Sequence, residues 1–315
     1  MLILTFFFLL AFLGSIFVIL HVPNFTSTPH PAASYEEALK KFSAIEKQEA
    51  ALPLSPEGHS RLMVHGTKTE SVFVLLHGLS SCPQQWVPLA TLLFDRGANA
   101  VILRARDAGH ANIFNKKQNE QSGQDLVDQA ATSLDIAAGL GDQVILVGLS
   151  AGALGASWMA QHRDGIDRVV LISPFFSPYQ WSVPVCDIVM SLLARLPNFY
   201  IWKKGYESDP SYVYPGYGTQ CVAKTLQLSR AIRSFQGPLK AGQMDILFSG
   251  ADLVVNRQLI EHVVKKWSDQ NPGKVFKYEF PASLGIGHDC IDPNKHDSKT
   301  ERSYPVILND LSPSA

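Results

Sequence analysis

The sequence predicts an α/β protein with a mostly parallel, doubly wound sheet, a helical cap inserted into that sheet, and an apolar helix ahead of it. Three observations predict this. Apolar strand-like runs alternate with helix-like stretches from Ser71 to Phe280. One run leads into Gly148-Leu149-Ser150-Ala151-Gly152, a G-x-S-x-G pattern suited to a sharp strand-to-helix turn. The stretch from Ser177 to Leu239 lies between two strand signals and is too long for a plain loop, so it must carry structure of its own.

With 315 residues, 46% of them hydrophobic, the chain can build a large core in one domain or two small ones. Its formal net charge of -1 gives no support for a nucleic-acid partner. Cys82, Cys186, Cys221 and Cys290 show neither C-x-x-C nor Cys/His metal spacing, so no structural metal and no cofactor is expected. Cys186 and Cys221 could pair in an oxidising compartment; four free, buried thiols are the competing expectation.

Residues 1–21 read as a membrane anchor or a signal segment. Leu2 to Leu20 is apolar apart from Thr5, Gly14 and Ser15, and no charged side chain precedes Glu36. A helix of that length, at about 1.5 Å per residue, would span the roughly 30 Å of a bilayer's hydrocarbon core. A basic start and a small-x-small cleavage site are both missing, which favours an uncleaved single-pass anchor over a signal peptide. The first basic residues, Lys40 and Lys41, lie near the limit of the positive-inside window, and the lean is towards a domain outside the cytoplasm. Residues 22–50 then comprise a Pro-, Ser- and Thr-rich spacer and a helix to about Ala50, opened by a Ser34/Glu37 capping box.

Residues 51–315 supply the main domain, with the cap at about 177–239. Ser71 to Leu76 reads as a strand ending in His77-Gly78-Leu79, Pro88 to Arg96 as a short helix, and Asn99 to Leu103 as the next strand. Gln124 to Leu140 fits a helix with Leu126, Ala130, Leu134 and Ala138 on one stripe. Val144 to Val147 is a strand buried on both faces, and the small residues after Ser150 suit a helix packed tightly on the sheet. Arg168 to Ser173 is a further strand. Cys186 to Leu196 and Thr219 to Phe235 look helical within an aromatic-rich insert. Ile246 to Ser249, an Asn256-capped helix carrying Leu259, Val263 and Trp267, and a half-exposed strand over Val275 to Phe280 complete the series.

A serine hydroxyl becomes a useful nucleophile only beside a base, which is itself held in the right tautomer by a carboxylate. In an open α/β sheet such groups belong past the C-terminal ends of strands, the acid before the histidine. Asp252 meets that condition, whereas Asp245 sits at the opposite end of the same strand. His288 follows the last strand between Gly287 and Asp289 and is the best placed of the ten histidines. His262 falls on a helix, His296 in a polar tail, and His77 in a turn that it would stabilise. Asp289 and Asp292 would orient the His288 loop or face water. The candidate catalytic residues are therefore Ser150, Asp252 and His288, with the N–H groups of Leu79 and Ala151 as candidate oxyanion donors.

Leu75-Leu76-His77-Gly78-Leu79, Gly148-Leu149-Ser150-Ala151-Gly152, Ser249-Gly250-Ala251-Asp252 and Gly287-His288-Asp289 together resemble the α/β-hydrolase superfamily. Within it, the chain is similar to compact bacterial carboxylesterases and monoglyceride-lipase-like serine hydrolases over about Leu62 to Leu311. The resemblance implies an α/β-hydrolase fold with a helical cap between the strands at Arg168 and Ile246. Two departures stand out: Gly109-His110-Ala111 where the family often has Gly-His-Gly, and Ala151-Gly152-Ala153 where Met-Gly-Gly is frequent. Neither removes a side chain that the chemistry needs.

The activity expected is cleavage of carboxylic esters through an acyl-enzyme, with a hydrophobic acyl ester or lipid such as a monoacylglycerol or lysolipid as partner. A serine peptidase or acyltransferase on the same fold, or a catalytically silent membrane-tethered binding protein, are the alternatives.

Overall fold

A computed structural model of the protein describes residues 22–115, 117–295 and 298–311. The strands in chain order are β1 (Arg61–Met63), β2 (Thr69–Leu76), β3 (Asn99–Ile102), β4 (Gly141–Leu149), β5 (Arg168–Ile172), β6 (Tyr200–Trp202), β7 (Gly216–Gly218), β8 (Gln243–Ser249) and β9 (Val275–Phe280). β6 and β7 pair with each other in a small hairpin; the rest form one seven-stranded sheet in the order β1-β3-β2-β4-β5-β8-β9. Only β1 is antiparallel to its neighbour, with Leu62 opposite Val101. In the centre Val74 lies beside Leu146, and Leu146 beside Val169. These strands are apolar on both faces because helices cover both faces.

One layer contains α1 (Tyr35–Glu49), α3 (Gly123–Ala137), α4 (Ala151–His162) and α7 (Arg257–Gln270); the other contains α2 (Val87–Phe94) and α8 (Thr300–Asp310). Sequence sets their boundaries locally. Ser34 Oγ accepts from Glu37 N at 3.2 Å, but the Glu37 carboxylate reaches past it to Ala33 N, so the expected box is offset by a residue. Ser122 and Asp125 form a full capping box on α3, and Asn256 caps α7 through Leu259 N. Gly155 lets α4 approach α3: a Cβ there would lie 2.8 Å from the Leu126 carbonyl oxygen.

The insert between β5 and β8 contains α5 (Val183–Leu193), the β6–β7 hairpin and α6 (Thr219–Ser234). Leu228 and Ile232, in the C-terminal half of α6, join the main core, so that half serves the domain's helical layer. β1, the β6–β7 hairpin and α8 had no counterpart in the sequence reading. Ile307, Leu308 and Leu311 bury α8 against the sheet. β9 also differs from the simple alternation expected, since Phe276 and Tyr278, on the same side of the strand as buried Phe280, remain exposed at the sheet edge.

The apolar segment 1–21 and His296 lie outside the described residues. Among the described residues, no helix is long and apolar enough to cross a membrane. The stretch after the apolar segment, expected as a spacer, lies along α3: Thr26 N donates to Gln124 Oε1, and Ala32 N to the Asp135 carbonyl. All four cysteines are free and buried, so Cys186 and Cys221 do not pair. Burial pushes the Cys82 and Cys221 thiols up to about 12.

Candidate active site

The chain passes from β2 outward to β3 and then crosses back to β4. Neighbouring strands β2 and β4 therefore send their following loops in different directions, opening a crevice past their C-terminal ends. The loop after β2 and the turn after β4 form its floor.

Ser150 occupies that second turn with φ 57 and ψ -113, a conformation costing roughly 1–3 kcal/mol for a residue with a side chain. Its neighbours leave no room for relief. A Cβ on Gly148 would fall 2.5 Å from the Gly152 carbonyl oxygen, and one on Gly152 would fall 2.2 Å from that of Leu76. Ser150 N donates to the Ile172 carbonyl at 2.9 Å, and Phe175 N to the Ser150 carbonyl at 3.2 Å, fastening the turn to the end of β5. Ala151 is the first residue of α4, so its N–H belongs to the positive end of that helix.

Asp252 and His288 come from the loops after β8 and β9. The His288 ring spans the two other groups: Nε2 lies 2.8 Å from Ser150 Oγ, and Nδ1 lies 2.8 Å from Asp252 Oδ2. Asp252 is fully buried, and its Oδ1 accepts from Val254 N at 2.7 Å and more distantly from Val255 N. Burial is the strongest influence on this carboxyl and acts to raise its pKa. The His288 imidazole and the two N–H groups outweigh it and hold the carboxyl below its ordinary value. With Asp252 ionised, Nδ1 carries the proton and Nε2 presents a lone pair to the hydroxyl. That arrangement can deprotonate Ser150.

Leu79 lies on the loop after β2, next to Gly78, and a Cβ on that glycine would sit 3.7 Å from Ser150 Cβ. Among the described residues, neither Leu79 N nor Ala151 N donates to a turn carbonyl or a side chain. Ala151 N–H, directly after Ser150, and Leu79 N–H, one residue past the glycine that faces it, are thus not engaged by those groups.

The other candidates take supporting or remote positions. His77 is buried, receives Ala105 N at Nε2 and contacts the Gly78 carbonyl through Nδ1. Burial lowers its pKa to about 4, so it is a neutral strut between the β2 and β3 loops. Asp245 pairs with Arg168 at the far end of the sheet, His262 is exposed on α7, and Asp292 accepts from Tyr212 Oη at 2.7 Å. Among the described residues, no group of His, Cys, Asp and Glu side chains is placed to hold a metal.

Gln85 was missed by sequence reasoning. Its buried amide accepts from Gly78 N at 2.8 Å and donates to Asp289 Oδ2 at 2.7 Å, joining the β2 loop to the residue after His288. Lys295 approaches the same Asp289 oxygen at 3.7 Å and Asp209 of the insert at 3.4 Å. No local signal marks such a bridge, because its two ends are brought together only by the fold.

Residues 73–283 match the alpha/beta hydrolase family. The chain belongs to the alpha/beta hydrolase family. A comparison with curated proteins finds no match. Among solved structures, this hydrolase chain is similar to the monoacylglycerol lipase of Paleococcus ferrophilus, with a TM-score of 0.62 and 18% identity over 80% of this chain and 97% of that one. It is also similar to a soluble variant of the monoglyceride lipase of Saccharomyces cerevisiae, with a TM-score of 0.61 and 16% identity over 80% and 89% of the two chains. A thermophilic esterase from the Planctomycetes species Thermogutta terrifontis has a TM-score of 0.51 and 15% identity over 80% and 85%. At these identities the likeness is one of fold.

Proposed function

We propose that this protein is a serine hydrolase that cleaves carboxylic esters through a covalent acyl-enzyme. The observation that carries the proposal is the unbroken line from Ser150 Oγ through the His288 ring to the buried Asp252 carboxylate, both contacts being 2.8 Å. In this reading Ser150 Oγ attacks the ester carbonyl carbon as His288 Nε2 takes its proton, and Asp252 stabilises the imidazolium. Leu79 N–H and Ala151 N–H receive the negative oxygen of the tetrahedral intermediate. Its collapse breaks the bond to the alcohol, which leaves with the proton from His288. Water then attacks the acyl carbon with His288 again as base, releasing the acid and restoring Ser150.

A hydrophobic acyl ester, such as a monoacylglycerol or lysolipid, is the substrate class this reading favours. The apolar side chains exposed on the insert support it, among them Val185, Phe199 and Trp202. The apolar residues 2–20 serve in the same reading as a membrane tether, with the hydrolase domain outside the cytoplasm.

The test is Ser150→Ala. Turnover of a short-chain nitrophenyl ester should fall about 10⁴-fold or more, and fluorophosphonate labelling should disappear, while the unfolding transition stays in place. A folded variant retaining wild-type turnover would remove the basis of the proposal. A panel of esters, amides and glycerides separates ester hydrolysis from peptidase or acyltransfer activity.

A further inference from the structure

The segment between the apolar N-terminus and α1 is a bound strap. Ala32 N donates to the Asp135 carbonyl and His30 N to the Asp135 carboxylate, near the C-terminal end of α3. Six residues earlier, Thr26 is held at the other end of the same helix, its N–H donating to Gln124 Oε1 and its carbonyl accepting Gln124 Nε2 at 2.8 Å. Phe25 then packs where α3 meets α6, so closely that a Cβ on Gly123 would lie 2.9 Å from the Phe25 ring and 2.7 Å from Leu228 Cβ. Followed towards the N-terminus, the strap therefore climbs α3 to its first turn. In a parallel sheet that is the end at which the strands finish, the end that carries Ser150.

The apolar surface of the insert lies at that end as well. On α5, Val185, Ile188 and Leu192 recur at helical spacing and are 53%, 46% and 42% exposed, while Cys186 and Met190 on the opposite side are buried. Beyond α5, Phe199, Ile201 and Trp202 are between 49% and 61% exposed. They are tied to the strap's end of the molecule, since Phe199 N donates to Thr219 Oγ1 at the start of α6 and Asn198 Nδ2 to the Asn119 carbonyl just ahead of α3. Large apolar side chains gathered on one surface mark a contact with another apolar phase.

We propose that the strap sets the membrane tether at the cap end, so that the exposed apolar face of the insert rests in the bilayer holding residues 2–20 and the mouth over Ser150 faces the lipid. The occupant of the apolar face is lipid, because the only long apolar segment of the chain leaves the domain beside it and is long enough to span a hydrocarbon core. The inference rests on the tether proposed above and adds its orientation. An amphiphilic substrate would then pass from the bilayer to the serine without crossing water.

The five tryptophans make this measurable. Trp202 and Trp181 are 53% and 37% exposed on the insert, whereas Trp86, Trp158 and Trp267 are at most 5% exposed. The full chain is reconstituted into phosphatidylcholine vesicles with or without brominated acyl chains. Brominated lipid should quench tryptophan emission, and the quenching should vanish in a Trp181→Phe/Trp202→Phe double variant. A Phe25→Ser/Gln124→Ala double variant, which removes both the ring packed against α3 and α6 and the two bonds to Thr26, should reduce the quenching while the chain still floats with the vesicles. Fluorophosphonate labelling in detergent, read on the same samples, reports separately on the folded state and the serine hydrolase reading. A chain that fails to float removes both tether and orientation. A floating chain whose emission is unquenched, whether its cap is open to water or buried in a cross-linkable dimer, overturns the orientation alone, as does quenching that the Phe25→Ser/Gln124→Ala variant leaves unchanged.

Discussion

Replacing Asp252 by asparagine tests the proposed division of labour through the position of one proton. In the wild type, Asp252 Oδ1 accepts from Val254 N at 2.7 Å while Oδ2 faces His288 Nδ1 at 2.8 Å. An asparagine has one acceptor and one donor to fill these positions. Its NH2 cannot face the Val254 N–H, because two donors would then oppose each other in a fully buried site. The amide oxygen therefore takes the Val254 side and the NH2 points at Nδ1, which must become an acceptor. The ring proton moves to Nε2 and faces Ser150 Oγ, where it blocks removal of the hydroxyl proton. A tautomer error of this kind lowers kcat by about 10⁴-fold, or ~5.5 kcal/mol of transition-state stabilisation. The assay is kcat/KM on nitrophenyl butyrate with the rate of fluorophosphonate labelling beside it, and a urea melt to show that the variant is folded. A folded Asp252→Asn protein within tenfold of the wild type in both rates would refute the reasoning, because Asp252 would then not control the tautomer.

Gln85→Leu strands the Gly78 N–H and leaves Asp289 Oδ2 only Lys295 at 3.7 Å, and should lower stability by about 1–3 kcal/mol in urea melts; if the bridge also aligns the oxyanion donors, kcat falls more than KM rises. Gly152→Ala places a methyl 2.2 Å from the Leu76 carbonyl oxygen, at or beyond the upper end of the roughly 1–3 kcal/mol usual for overpacking, and should leave little folded protein on gel filtration. Asp310, 3.0 Å from Arg168, has its pKa raised to about 6 by burial and then by Asp245, against the pull of Arg168. Because the folded state holds this proton more tightly than the unfolded chain, the contribution to stability is complete below about pH 4 and is lost as pH climbs through about 6. Asp310→Asn should remove that slope, worth at most about 3 kcal/mol and nearer 1–2 for a partly exposed carboxyl, in urea melts across this range. Ellman's reagent should find no reactive thiol in the native protein and four after denaturation.

The sheet and the three side chains at its mouth were legible because each leaves a local mark. Val72 to Leu76 and Val144 to Leu149 are strands buried on both faces, and such strands read as unbroken apolar runs. Ser150 sits between two glycines forced by contacts of 2.5 Å and 2.2 Å, and His288 and Asp252 each follow a readable strand. α8 escaped notice because its polar residues outnumber the buried Ile307 and Leu308, and Pro305 interrupts it. β1 and the β6–β7 hairpin consist of three-residue strands, too short for a period to show. The strap is Pro-, Ser- and Thr-rich and so resembles a free spacer. What binds it is a set of backbone bonds to Gln124 and Asp135, far away in sequence.

The strain at Ser150 and the buried network around it are two parts of one arrangement. A serine at φ 57 relaxes unless its surroundings over-determine it, and relaxation would carry Oγ away from His288 Nε2, now 2.8 Å distant. Two backbone bonds, one to Ile172 at the end of β5 and one from Phe175 just beyond it, and helix α4 packed closely on the sheet through its small residues, oppose that movement. On the other side, Gln85 ties the loop bearing Leu79 to Asp289, the neighbour of His288. Ser150, the loop bearing Leu79 and His288 are thereby referred to a common frame, although they come from loops after three different strands. Reorganisation at the moment of attack is small when such groups are held beforehand, and that is the physical source of the rate this geometry can supply.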